Sequence, residues 1–484
     1  MSKRNDICKK LLCAVLITTM CASFGCIRGG SHSAAVDTEA PSEAGYTPSP
    51  AASEAAAALP TTQETSLPAA PTSALTEEPT AELTVSPTDV HTAEPTSAHT
   101  AEPTSTHTSA PTAAPTSAPT AAPTSAPTSG PTQAPSMSQL INAKMASMTT
   151  EEKIGQLLMF GFIGGNAIDQ NFLRILQQYP VGNMIFYGDN INKNDGSGGF
   201  ESVRRQITLL ESSYPACVPR FFSVDVEGGT VSRFNWQPAL KSAYELGQGS
   251  ADAAYSQFKR VGQKLRSIGL NIDLAPVLDV AEDPLSTFMG TRIISSDPAK
   301  VCEIGNAAMR GLHSSGCLAT AKHFPGHGAT AEDSHDHTPV VNKSADELYA
   351  YDLVPFADAV RNGIDCVMAA HIKYPALDDT EVASMSRRIL TGILRQEFGF
   401  NGIIISDEIC MGGLTSQYSA GEAAVKFIQA GGDIILCGAT YSAQVQVIQA
   451  LYSAVANGTI SMQRLDQSVY RILAYKYSYG IWTP

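Results

Sequence analysis

The sequence predicts a (β/α)8 barrel, and three observations carry the prediction. Eight short apolar runs recur between Gln156 and Cys437. Most are continuous rather than alternating, as expected of strands covered on both faces. Longer amphipathic stretches separate them, and polar groups gather at the carboxyl ends of the runs, where such a barrel places its chemistry. A doubly wound open sheet is the competing architecture. No dinucleotide-binding turn follows an early run: Gly161 to Gly165 lacks the spacing, and Glu227-Gly228-Gly229 reads as a loop.

In order, the runs are Gln156–Phe162, Asn183–Tyr187, Phe221–Asp225, Asn271–Pro276, Cys317–His323, Cys366–His371, Gly402–Asp407 and Asp433–Cys437. Between them, Asp252–Ser267 and Pro298–Ser314 read as amphipathic helices. Ser344–Asn362 opens with Ser344 three residues before Glu347, a capping-box signature. The third run ends in Asp225, the fifth in Lys322-His323, the sixth in His371 and the seventh in Ser406-Asp407-Glu408, whereas the first and eighth end blandly. A single strand-end Asp commonly caps the next turn; so many polar ends together predict one pocket.

Two segments precede the barrel. Residues 1–25 carry Lys3, Arg4, Lys9 and Lys10, then an apolar run from Leu11 to Met20, which is short for a membrane span. They read as a signal peptide of lipoprotein type, in which Ala22-Ser23-Phe24-Gly25 leads to a lipidated Cys26. Ser23 stands where such signals prefer Leu, and secretion after plain cleavage is the alternative. Residues 26–136 are rich in Ala, Pro, Thr, Ser and Glu, with eleven acidic residues against Arg28. Such a composition cannot bury enough apolar surface to offset its ordering entropy, and its prolines favour extended chain. It is expected to be a disordered tether.

Residues 137–484 form the expected catalytic domain. They hold 27 basic and 34 acidic residues, a balance that does not suggest a nucleic-acid surface. Six cysteines, Cys217, Cys302, Cys317, Cys366, Cys410 and Cys437, show no close pair with metal-ligand spacing. Buried thiols are the expected state, with room for one disulfide whose partners sequence does not choose.

The chemistry concentrates after the fifth run, in Lys322-His323-Phe324-Pro325-Gly326-His327-Gly328 followed by Asp333-Ser334-His335. Four of the ten histidines fall between residues 323 and 337. Solvent-facing loop histidines are the bland reading; the density of ionisable groups favours a site. Asp407, at the end of a buried strand, is a candidate covalent nucleophile. Retaining glycosidases pair such a carboxylate with a proton donor. His335 fits that role because imidazole exchanges protons near neutrality, and Asp333 is placed to orient its ring. Glu408 is the rival carboxylate, expected to point away from Asp407 by strand alternation.

These residues resemble glycoside hydrolase family 3, in its β-N-acetylglucosaminidase branch. The His-rich stretch carries the resemblance, together with Val224-Asp225-Val226-Glu227-Gly228-Gly229, Arg233-Phe234, Leu274-Ala275-Pro276-Val277-Leu278-Asp279, Gly290-Thr291-Arg292 and Ile405-Ser406-Asp407-Glu408-Ile409-Cys410-Met411. It runs from about Ile154 to Gly480. It implies Asp407 as nucleophile, His335 with Asp333 as acid/base, and Asp225, Arg233, Arg292, Lys322 and His323 as holders of sugar hydroxyls. Val226 and Glu408 stand where the family often has Gln and Asp. The chain ends at Pro484, leaving no room for the second domain that supplies a Glu acid/base in many family-3 β-glucosidases.

The resemblance implies a retaining β-N-acetylhexosaminidase that removes terminal β-linked N-acetylglucosamine; the amino-terminal segments add the expectation that it is exported and acts on peptidoglycan- or chitin-derived glycans. It implies no metal and no organic cofactor. The expected partners are a carbohydrate and, through the lipid anchor, a membrane; no nucleic acid and no second copy of the chain is called for. The expected location is the outer face of the cytoplasmic membrane or the cell wall. Other readings remain open: a phosphorylase or β-glucosidase of the same fold, a non-catalytic sugar-binding lipoprotein, or a zinc hydrolase built on His323, His327, His335 and His337. Lys322 beside that cluster, and the lack of a helical His-x-x-x-His, weigh against zinc.

Overall fold

The computed structural model describes residues 135–162, 167–330, 338–438 and 440–484. Asp333, His335 and Cys26 lie outside them, as do the signal segment and nearly all of the expected tether. Each of the eight apolar runs coincides with a strand, the fifth strand reaching one residue past its run: β1 (Leu158–Phe160), β2 (Asn183–Phe186), β3 (Phe221–Val224), β4 (Ile272–Asp273), β5 (Leu318–Phe324), β6 (Cys366–Ala369), β7 (Ile403–Ser406) and β8 (Ile435–Cys437). They pair in parallel, each with the next from β1 to β7, and β1 also pairs with β8. The ring closes where Ile405 meets Ile434 and the Ser406 N–H donates to the Ile434 carbonyl at 2.9 Å. The eight strands thus form the parallel barrel that the run pattern predicts. Every residue of these strands is buried, which explains why the runs read as unbroken apolar stretches.

The helices follow local rules. α1 (Met137–Ser147) and α2 (Thr150–Gln156) open with capping boxes from Ser136 and Thr149. α3 (Gln170–Gln178) follows β1 and α4 (Phe200–Ser213) follows β2 in the chain. α5 (Ala251–Ser267) is capped by Ser250. α6 (Pro298–His313) begins with Pro298, whose missing N–H costs nothing in a first turn, and Asp297 caps it. The Ser344–Glu347 capping box is present. The helix it opens is not continuous, however: Leu348–Asp352 is a π-helical turn before α7 (Val354–Arg361). Pro355 explains the break, because it has no N–H to continue the ladder. α8 (Ala420–Ala430), α9 (Tyr441–Ala456) and α10 (Met462–Ser478) complete the outer layer. An unpredicted hairpin, Lys373–Tyr374 with Asp378–Val382, follows β6.

The barrel interior and the strand–helix layer form one apolar core that includes Phe160, Phe186, Phe221 and Ile403 to Ile405. Among the described residues, no helix is long and apolar enough to cross a membrane.

Candidate active site

The carboxyl ends of the strands surround a cavity of about 180 Å³. Tyr187 follows β2, Asp225 and Glu227 follow β3, Lys322 and His323 lie in β5, and Asp407 and Glu408 follow β7; all line it. Arg233 and Arg292 reach it from the loops after β3 and β4. The six described site residues expected from sequence, Asp225, Arg233, Arg292, Lys322, His323 and Asp407, therefore meet in one place. A larger concavity of about 730 Å³, lined by Lys193, Trp236 and Lys264 among others, contains none of them.

Lys322 is the centre of the charge network. Its ammonium lies 2.8 Å from Asp225 Oδ1 and 2.7 Å from Glu227 Oε1, and the side chain is 2% exposed. Arg233 binds the other Asp225 oxygen at 3.0 Å. Arg292 grips Glu227 with two parallel bonds, 2.7 and 2.8 Å. Burial alone would raise both carboxyls, but Lys322 with Arg233, and Lys322 with Arg292, outweigh it and hold Asp225 and Glu227 below the usual range. Arg233 has φ 52°, a left-handed backbone that a side chain seldom adopts, and residues held so cluster at functional sites.

On the opposite side, His323 Nδ1 lies 2.7 Å from Asp279 Oδ2, and the His323 and His327 N–H groups both donate to Asp279 Oδ1. Burial opposes ionisation of Asp279, yet these partners bring its carboxyl down to about 2. Ionised Asp279 only accepts, so His323 Nδ1 carries a proton and donates to it. His327 is pulled down to about 4, first by burial and then by the neighbouring His323. Lys322 and His323 are consecutive, yet both side chains line the cavity; the peptide between them is cis.

Asp407 has one oxygen engaged, Oδ1 accepting the Glu408 N–H at 2.8 Å. Burial would raise its carboxyl, but His323, His371, the Glu408 amide and Lys322 hold it below its usual value. Glu408 is different. Its Oε2 accepts the Tyr187 hydroxyl at 2.8 Å and the Gly438 N–H at 2.7 Å, and Oε1 accepts the Cys410 N–H. Contrary to the alternation argument, both acids line the same cavity. Strand β7 stops at Ser406, so residues 407 and 408 lie beyond the pleat. Gly438, where the eighth run seemed bland, contributes a backbone donor. A Cβ there would lie 2.3 Å from the Tyr187 ring, so only glycine lets that ring reach Glu408.

Glu227, Asp279 and Tyr187 are the site residues that sequence reasoning did not assign. The first two sit inside quoted motifs, and Tyr187 ends the second run, so a carboxylate or phenol at a strand end was the available signal. Among the described residues, one set of metal-capable atoms lies together, Glu408, Cys410 and Cys437, within 4.8 Å of one another.

Residues 149–475 match the model of the glycosyl hydrolase family 3 N terminal domain. The chain belongs to glycosyl hydrolase family 3. Among its relatives in the family, "Beta-hexosaminidase A" of Pseudoalteromonas piscicida is 26% identical over 373 residues, 69% of this chain and 62% of that protein. "Beta-hexosaminidase LpqI" of Mycobacterium tuberculosis is 32% identical over 340 residues, 68% of this chain and 84% of the relative. The solved family 3 β-N-acetylglucosaminidase from Paenibacillus sp. str. FPU-7 superposes with TM-score 0.66 at 34% identity, covering 69% of this chain and 63% of that one. The chain thus spans less than two thirds of the first and third of these relatives.

Proposed function

We propose that the protein is a retaining β-N-acetylhexosaminidase that removes terminal β-linked N-acetylglucosamine. One observation carries the mechanism. Four carboxylates line the cavity, and three have both oxygens engaged by protein donors: Asp225, Glu227 and Glu408. Asp407 alone keeps an oxygen without a hydrogen bond among the described residues, and it is held ionised. A charged, half-buried carboxylate that keeps one oxygen for the substrate is what attack on an anomeric carbon requires.

In this reading Asp407 displaces the leaving oxygen and forms a glycosyl-enzyme. His335, oriented by Asp333, protonates the leaving oxygen and then activates water as a free base. Asp225, Arg233, Arg292, Lys322 and His323 hold the sugar hydroxyls, their positions fixed by the ion-pair network before substrate arrives. The names of the relatives supply the acetamido preference. The amino-terminal composition supplies the rest: a signal segment, lipidation at Cys26 and a tether that keeps the catalytic domain beyond the membrane, in reach of peptidoglycan- or chitin-derived glycans.

The test is turnover of an aryl β-N-acetylglucosaminide against the matching β-glucoside by the full chain, with and without phosphate. Preference for the acetamido sugar, independent of phosphate, is expected. Sugar 1-phosphate as product would make the protein a phosphorylase, and preference for the glucoside would make it a β-glucosidase.

A further inference from the structure

Two cysteines stand beside the site and take no part in the chemistry above. Cys410 follows Asp407 by three residues on the loop after β7, and Cys437 is the last residue of β8. Their Sγ atoms are 3.7 Å apart across a separation of 27 residues. Cys437 is buried, whereas Cys410 is partly exposed. Cys317 and Cys366 offer the contrast: both are buried, burial pushes both thiols up, and they behave as inert core residues.

A disulfide holds its sulfurs at about 2.05 Å, so the pair must close by roughly 1.6 Å, within the swing of a side-chain rotation. A metal ion on the same two sulfurs would need Glu408 as a third ligand. Both oxygens of Glu408 already accept hydrogen bonds, from Tyr187, Gly438 and Cys410, so the dithiol chemistry is the one the geometry favours.

We propose that Cys410 and Cys437 form a redox pair that closes to a disulfide under oxidising conditions and clamps the Asp407 loop to β8. The Cys410 thiolate, the accessible one, attacks a sulfur of a small disulfide such as oxidised glutathione, giving a mixed disulfide and one glutathione thiolate. The Cys437 thiolate then attacks the Cys410 sulfur and expels the second glutathione. The two cysteines lose two electrons and two protons, and one glutathione disulfide becomes two glutathiones.

The clamp reinforces a clasp already present, since the Glu408 carboxylate accepts N–H groups from both sides of it, Cys410 at 3.3 Å and Gly438 at 2.7 Å. The same loop reaches further. The Gly413 carbonyl accepts the Thr338 hydroxyl, and Thr338 directly follows the segment expected to carry His335. The inference goes beyond the proposed activity and does not depend on which sugar is cleaved.

The test equilibrates the full chain with oxidised glutathione or with dithiothreitol, quenches with acid, alkylates in denaturant and maps the peptides by mass spectrometry. The expected result is a peptide pair joined through Cys410 and Cys437 in the oxidised sample and absent from the reduced one. The oxidised protein should also melt about 5 °C higher, the shift expected for closing a loop of this length. Cys410→Ser should fold, because that side chain is partly exposed, and should lose both the link and the shift. Alkylation of both cysteines in the oxidised sample overturns the proposal. So does recovery of Cys410 only as its glutathione adduct, or a link with no change in melting. These readouts are covalent and thermal, so they succeed or fail independently of the hexosaminidase assay.

Discussion

Replacing Glu227 by Gln keeps the shape of the side chain and removes one buried charge. Glu227 and Lys322 are each 2% exposed, and Glu227 makes three contacts of 2.7 to 2.8 Å with Arg292 and Lys322. Unit charges about 4 Å apart at an effective dielectric near 20 attract by about 4 kcal/mol, and two cations face this carboxylate. Desolvation of the carboxylate takes back several kcal/mol. The variant also leaves Lys322 and Arg292 undercompensated. The expected net loss is about 3–5 kcal/mol, the range for breaking a buried ion pair from one side. Urea unfolding at neutral pH measures it as a midpoint lowered by roughly 1 M or more. Because Arg292 and Lys322 would no longer be held, KM for the glycoside should rise as well. A stability change under about 0.5 kcal/mol, the scale of an ordinary surface substitution, would refute the claim that Glu227 anchors the network.

Asp407→Ala should lower kcat by about 10⁴-fold or more with the fold intact, and retained turnover would remove Asp407 as nucleophile. His335→Ala should slow glycosides with poor leaving groups by about 10²-fold more than activated aryl glycosides; equal losses would count against an acid/base role. Lys476 is buried on Gln156 Oε1 and the Gly182 carbonyl, and burial pulls its ammonium down to about 7. Its unfolded value is higher, near ~10.4, so between those values the unfolded chain binds more protons and stability rises with pH. Wild type should gain about 2 kcal/mol between pH 7.5 and 9.5 from this group, and Lys476→Met should flatten that slope in urea unfolding. Gly438→Ala drives a methyl into the Tyr187 ring, and overpacking of this kind should cost about 1–3 kcal/mol and reduce turnover by displacing Tyr187 from Glu408. A thermal midpoint unchanged from wild type would show that the ring moves freely.

The sequence by itself determined the barrel. A strand covered on both faces is apolar at most positions, so Ile403 to Ile405 or Cys366 to Ala369 can be read without knowing their neighbours. Strand ends of a barrel converge on one face, so Asp225, Lys322, His323 and Asp407 could be grouped although nearly two hundred positions span them. Partnership was not readable, because an ion pair depends on distances between chain segments that no local pattern encodes. Only the tertiary structure decided that Glu227 belongs to Arg292 and Lys322, and that Asp279 orients His323. It also decided that Glu408 is tied by Tyr187 and Gly438 while Asp407, among the described residues, keeps an oxygen without a hydrogen bond. Cys410 and Cys437 make the same point. Their spacing in sequence signals nothing, and closure of the barrel between β7 and β8 brings their sulfurs together.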